Sequence, residues 1–282
     1  MPAGELLLTS TLVIAECGSC HDGDLKKALQ LVEAARESGC AVAKFQLWSD
    51  PDRLADRRGV PEHYRAIYLR YQMPASWLPV LQEACEARSP WTRGLRPIEL
   101  MATTYLPEDI AVVAPYVRRF KVASFEADDK SFIEAHPDDR PIIVSLGMAN
   151  GVPDHLFALR FQLLHCVSSY PAPPEAMNLA VLMPWDNGVS DGLIDSPFDG
   201  LSDHSRHLWM GALATVAGGK IIEAHLRLDD TDPQNPDFTT AFTPAEFAEY
   251  VRNIRFAEQA IGTGEKRLQA CEREMAAYRV KG

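Results

Sequence analysis

Two lysines, Lys44 and Lys121, stand inside the apolar runs CAVAKFQ (40–46) and RFKVAS (119–124). Lysine is rarely buried without a partner. Two of them imply an anion between them, and the hydroxyls of Thr103, Ser124 and Ser202 at the ends of comparable runs suit a phosphate or carboxylate. A competing account pairs each lysine with a core glutamate such as Glu16 or Glu126. Two histidines, His204 and His225, also close short apolar runs. Two imidazoles completed by water suit Mn, Fe, Co or Zn, with Asp203 and Glu223 as further ligands or as groups that orient the rings. The same kind of position is held by Glu16, His21, Asp22, Asp24, Gln46, Tyr105, Ser145, His165, Ser168 and Tyr170. Core packing alone does not produce such a set.

The elements that carry these residues alternate. Strands are expected at 11–16, 40–46, 98–103, 119–124, 141–147, 161–168, near 198–202, and at 220–226. Helical spacing fills 25–39, about 76–87, 107–117, 131–137, 153–159, 211–219 and 243–262. Asp24 and Thr243 read as N-caps, Glu246 completes a capping box, and Gly39 and Gly262 read as stops. Eight strands alternating with helices imply parallel pairing with right-handed crossovers. The expected fold is α/β class: a single-domain (β/α)₈ barrel, or TIM barrel, over 1–262, followed by a charged, helical tail over 263–282. In such a barrel the site lies at the C-terminal strand ends, where the residues above fall. An open doubly wound sheet is the runner-up, but CGSCHDGD lacks the G-x-G-x-x-G spacing that its nucleotide sites use. The segment between 47 and 75 reads as polar and aromatic with no assigned element, and 90–97 and 184–200 read as loops.

The chain has 282 residues, 46% hydrophobic and 24% charged, with a formal charge of −11. An acidic surface argues against nucleic acid as partner. The N-terminus lacks a basic region before its apolar run, and no stretch approaches the roughly 18 apolar residues of a membrane span. A reduced cytoplasmic protein is expected from the six scattered cysteines; Cys17 and Cys20 form a lone C-x-x-C, read as two loop thiols.

In order, the segments IAECGSCHDGD, VAKFQ, FKVASFE, IIVSLGM, LLHCVSSYPAPPEAMNL, LSDHS and IIEAHLRLD resemble the barrel of the sialic acid synthase family over about residues 11–262. The resemblance implies a metal-assisted condensation of phosphoenolpyruvate with an aldehyde-bearing sugar, giving a 2-keto-3-deoxy acid and phosphate. It implies His204 and His225 as metal ligands, with Mn2+ the expected ion and Mg2+ or Co2+ as alternatives. Lys44, Thr103, Lys121, Ser124 and Ser202 match groups that hold phosphoenolpyruvate. Glu16, Gln46, Tyr170, Glu223 and Asp237 match groups that contact the acceptor. Glu16 or Glu223 is the expected general acid or base. Tyr105, Glu126, Ser145 and Ser168 complete the implied substrate-binding set.

Departures from the family pattern fall at Cys20 and Asp22 in the first motif, and at Phe125, where the family has glycine. Further ones are Leu146 for threonine, Ser168 for asparagine and Ala224 for lysine. The family's C-terminal antifreeze-like domain, which lends an arginine to the sugar site, has no counterpart in these residues; Arg267, Arg273 and Arg279 of the tail are the nearest cations in sequence. Dimers are the commonest assembly of such chains, but without a counterpart of the domain that links subunits in the family the expectation of a homodimer is weakened. A barrel that binds a sugar acid or phosphorylated ligand without turnover is the second reading, and a metallohydrolase the third, weakened by the lack of an H-x-H pair on the first strand.

Overall fold

The structure, a computed structural model, describes residues 10–87, 96–157, 160–184 and 195–280. Eight short strands carry the β-branched and apolar runs: Leu12–Gly18 (β1), Val42–Leu47 (β2), Glu99–Thr104 (β3), Phe120–Val122 (β4), Ile142–Leu146 (β5), Phe161–Cys166 (β6), Gly200–Asp203 (β7) and Ile221–His225 (β8). Each pairs in parallel with the next, and β8 pairs with β1, so the sheet closes on itself without a free edge. The expected barrel is the observed one.

Helices pack outside. Asp24 accepts from the Lys26 N–H and starts Leu25–Glu37 (α1). After β2 come Pro51–Arg58 (α2), Glu62–Arg70 (α3) and Leu78–Glu86 (α4). Pro107–Val113 (α5), Lys130–Glu134 (α6) and Met210–Val216 (α7) follow β3, β4 and β7. Pro244–Ile261 (α8) begins with the Thr243–Glu246 capping box read from the sequence. Gly211 lets α7 press onto α8: a Cβ there would sit 2.6 Å from the Tyr250 ring. No described helix is long and apolar enough to cross a membrane.

Three expectations need correction. The segment after β2 holds two helices, α2 and α3. Its start signal was present: Asp50 caps α2 by accepting from the Arg53 N–H, Pro51 occupies the first turn, and Gly59 ends the helix at φ 60°. The connection after β5, expected to be helical over 153–159, carries a 3-10 turn, Asp154–Leu156, that follows Pro153. Two further 3-10 turns, Pro174–Ala176 and Leu179–Leu182, follow β6. The tail is helical only over Arg273–Ala276 (α9) and a preceding 3-10 turn. Nearly all its side chains are exposed, and a short helix without a buried face is marginal. The parts of the expected loops at 90–95 and 185–194, and of the expected helix at 158–159, lie outside the described residues.

Candidate active site

Side chains alternate along a strand, so every second residue enters the barrel. Ile14, Val42, Met101, Ile143, Leu164 and Ile221 form an apolar plug across the interior. Two residues further toward the C-terminal ends of the same strands stand Glu16, Lys44, Thr103, Ser145, Cys166 and Glu223. One further step along β2 and β8 brings Gln46 and His225. Register aligns them laterally: Glu16 lies opposite Lys44 and His225, Gln46 opposite Thr103, Thr103 opposite Lys121, and Ser202 opposite Glu223. The apolar layer seals one end, so the polar layer must face the other.

The charges in this layer balance. Lys44 Nζ pairs with Glu16, lies 3.5 Å from Glu223 Oε2 and donates to Thr103 Oγ1 at 3.0 Å. Lys121 Nζ lies 3.8 Å from Glu223 Oε1 and donates to Ser145 Oγ at 2.8 Å and to the Val122 carbonyl at 3.0 Å. Gln46 Nε2 donates to Glu16 Oε1 at 2.7 Å, and Ser202 Oγ to Glu223 Oε1 at 3.1 Å. All four ionised side chains are 4% exposed or less, and two cations against two carboxylates is the condition under which such burial is tolerable. Lys44 therefore does pair with Glu16, but Glu126 pairs elsewhere.

Position within the network separates like groups. Burial pushes the Glu16 carboxyl up to about 7, against the opposing pull of Lys44. Burial also acts on Glu223, but Lys121 and Lys44 outweigh it and hold that carboxyl near 2. Burial lowers Lys121; for Lys44 the two carboxylates outweigh burial and raise it. A carboxyl poised near neutrality beside one that stays ionised suits proton transfer at Glu16 and charge holding at Glu223.

His204 and His225 face each other beside this ring, with centroids 5.2 Å apart and the Tyr170 ring 4.5 Å from His204. His204 Nδ1 lies 3.1 Å from the Val167 carbonyl; a proton donated there leaves Nε2 with a free lone pair. His225 Nδ1 is buried without a hydrogen-bond partner and lies 3.6 Å from Asp237 Oδ1. Burial pushes His225 down to about 4, so its imidazole is neutral, the form a metal requires. Among the described residues no group of three or more His, Cys, Asp or Glu side chains is arranged to hold a metal ion. The chain thus offers two imidazoles, one with an orphaned buried nitrogen, and these fit an ion whose remaining ligands are water and substrate oxygens.

The loop after β8 leans on the end of β1. Ser19 Oγ donates to Asp237 Oδ2 at 3.1 Å. Gly18, at φ 47°, makes this approach possible, since a Cβ there would meet Asp237 Oδ2 at 2.5 Å. Asp203 accepts from Tyr250 Oη and the Ser205 N–H, both at 2.8 Å, which anchors the loop that carries His204.

A cavity of about 840 Å³ opens above the ring. Of the residues expected at the site, Glu16, Lys44, Gln46, Thr103, Tyr105, Lys121, Ser124, Ser145, Tyr170, Ser202, His204, Glu223, His225 and Asp237 line it. Glu126 and Ser168 do not: Glu126 is buried behind Arg58, and Ser168 packs beside Cys166, its Oγ 3.8 Å from Sγ. His21 is buried against Trp77, and His165 is half-buried against Phe198 with Nε2 2.9 Å from the Met177 carbonyl. Phe125 is 56% exposed at the rim and leaves the cavity open. The tail arginines do not line it.

Sequence reasoning missed the outer wall. Trp48, Arg58, Tyr64 and Tyr68, from β2's end, α2 and α3, all line the cavity. The Arg58 guanidinium lies 4.7 Å from the ring centres of Tyr105 and Phe125 and donates twice to Glu126 Oε1, at 3.0 and 2.8 Å. The cues that mark α2 as a helix would have placed Arg58 at its end, although not its direction.

Comparison with known proteins gives a consistent result. The NeuB family model matches residues 31–266. The Homo sapiens N-acetylneuraminate-9-phosphate synthase is 27% identical over 271 residues, covering 92% of this chain and 74% of the relative. The N,N'-diacetyllegionaminic acid synthase of Legionella pneumophila is 29% identical over 279 residues, covering 90% and 74%. The crystal structure of an N-acetylneuraminic acid synthetase from Leptospira borgpetersenii, in complex with citrate, superposes with a TM-score of 0.78 at 27% identity, covering 96% of this chain and 91% of that one.

Proposed function

Because this chain belongs to the NeuB family, we propose that it condenses phosphoenolpyruvate with an aldehyde-bearing sugar, yielding a 2-keto-3-deoxy acid and inorganic phosphate. The observation that carries this reading is the convergence of Lys44 and Lys121 on one carboxylate, Glu223, in a cavity whose wall also holds His204 and His225. An arriving phosphoenolpyruvate competes with Glu223 and Glu16 for the lysines, and the hydroxyls of Thr103, Ser124, Ser145 and Ser202 supply donors around it. C3 of phosphoenolpyruvate bonds to the aldehyde carbon, water adds at C2, and the C2–O bond to phosphate breaks. Lys44 and Lys121 stabilise the charge that collects on the departing phosphate. Glu16, with its carboxyl near neutrality, exchanges the proton at the acceptor oxygen. His204 and His225 would hold a divalent metal, Mn2+ by first choice, whose Lewis acidity polarises the acceptor aldehyde.

The test is release of inorganic phosphate from phosphoenolpyruvate with Mn2+ and a panel of aldehyde sugars. Release that depends on an acceptor and on added metal, and that disappears in His225→Ala, supports the reading. Calorimetric binding of phosphoenolpyruvate with no release for any sugar would replace it with a binding role.

A further inference from the structure

The outer half of the cavity is chemically unlike the inner half. Its wall comes from α2, α3 and the turn between them, with Leu54, Val60, Pro61 and Ile67 interleaved with Tyr64 and Tyr68. At about 840 Å³ the whole cavity lies in the upper part of the roughly 300–1,000 Å³ range of small-ligand sites. A three-carbon acid phosphate seated on the two lysines leaves much of it unfilled. Besides Lys44 and Lys121 in the inner ring, Arg58 is the one lysine or arginine that lines the cavity among the described residues. Its side chain is 15% exposed and its partner Glu126 2%. That pair is fixed from both sides, by the Tyr105 and Phe125 rings over the guanidinium and by Tyr68 Oη, 3.2 Å from Nη1. An anionic group arriving here meets a cation whose charge is already matched, in apolar surroundings, and must be desolvated without compensation. An apolar group arriving here displaces water from aromatic and aliphatic surface.

We infer that this outer wall is an acceptor subsite for uncharged aldehyde sugars bearing a bulky apolar substituent, such as an extended N-acyl group, and that it rejects phosphorylated acceptors. This rests on the condensing reading above, and names the acceptor class that the same cavity takes. Arg58 serves as a specificity determinant through its rigid, neutralised pairing, and Phe125 as the rim surface on which the substituent lies.

Two measurements test it. The first is calorimetric binding of three probes to the full chain with Mn2+ and no phosphoenolpyruvate: N-acetylmannosamine, its N-hexanoyl analogue and its 6-phosphate. The hexanoyl probe should bind about tenfold tighter than the acetyl one, as apolar burial of a few methylenes predicts, and the phosphorylated probe at least tenfold more weakly. Phe125→Ala, at an exposed position that does not endanger folding, should remove most of the hexanoyl advantage. Glu126→Gln, which keeps an oxygen for Arg58 but removes the balancing charge, should improve the phosphorylated probe about tenfold. Equal affinity for acetyl and hexanoyl probes, or a phosphorylated probe that binds as well as the neutral one, overturns the inference. The second is phosphate release with the same three acceptors. Turnover that is fastest with the 6-phosphate would sink the subsite while leaving the condensing reading intact; no binding and no turnover with any probe would sink both.

Discussion

The inner ring and the outer wall of the cavity are built by different means. Glu16, Lys44, Thr103, Ser145, Ser202 and Glu223 come from six strands, each fixed by hydrogen bonds to two neighbours. The wall at Leu54, Arg58, Tyr64 and Tyr68 comes from one continuous stretch folded back as α2 and α3. Within the ring, Glu16, Lys44 and Glu223 share a charge balance with Lys121, and none of the four can change without disturbing it. The wall has one such dependence, the Arg58–Glu126 pair; Tyr64, which is exposed, can change without disturbing any charge. A barrel can thus retain the handling of one substrate in its strands and vary the selection of the other in an insertion.

The largest expected effect belongs to the ring side. His204→Ala and His225→Ala should each lower metal-dependent phosphate release by about three orders of magnitude, the scale of several kcal/mol of lost charge stabilisation, while circular dichroism stays native. Retained turnover in either would remove the pair from the chemistry.

Lys121→Met and Lys44→Met come next. Each should cut turnover by about a hundredfold or more and raise the KM for phosphoenolpyruvate. Each also strands buried carboxylate charge, so urea unfolding should register a loss of about 3–5 kcal/mol. A variant that loses stability but keeps its KM for phosphoenolpyruvate would make the lysines structural.

On the wall side, Arg58→Met leaves Glu126 buried and unpaired, costing about 3 kcal/mol in the same unfolding experiment. Its kinetic signature should differ from that of the lysines: the acceptor KM shifts while the KM for phosphoenolpyruvate stays within about twofold. If both constants move together, the division between ring and wall fails.

A smaller effect separates the two carboxylates of the ring. Glu16 is raised from 4.5 to about 7 in the folded protein. Between those values the native state keeps a proton that the unfolded chain has released, so stability falls as pH rises through that window and levels off above it. Glu16→Gln should flatten that slope in unfolding free energies measured across the window. A slope unchanged by the substitution would assign it to other groups. The smallest change lies outside the cavity lining: Thr243→Ala breaks the α8 capping box and should cost about 1 kcal/mol, with a kinetic effect far below that of either histidine variant.

The eight strands, the closed barrel and most of the ring were legible because period-two alternation places apolar and polar residues in fixed layers. Once Ile14 and Val42 point inward, Glu16 and Lys44 must follow. The tail failed for the opposite reason: its charged composition resembles a helix surface, but it buries no face that would hold one. Glu126 sits on the motif that points to substrate, yet its partner Arg58 is 68 residues distant in sequence, and no local pattern records that pairing.

By itself the sequence determined which residues share a strand, which face of the strand they occupy and which family pattern they follow, since those properties depend on neighbours two to four residues apart. Tertiary structure alone decided which carboxylate each lysine meets, that burial separates the Glu16 and Glu223 carboxyls, and that α2 and α3 roof the cavity with Arg58. Those outcomes depend on distances between distant segments and on water excluded by the closed barrel, neither of which is written in local spacing.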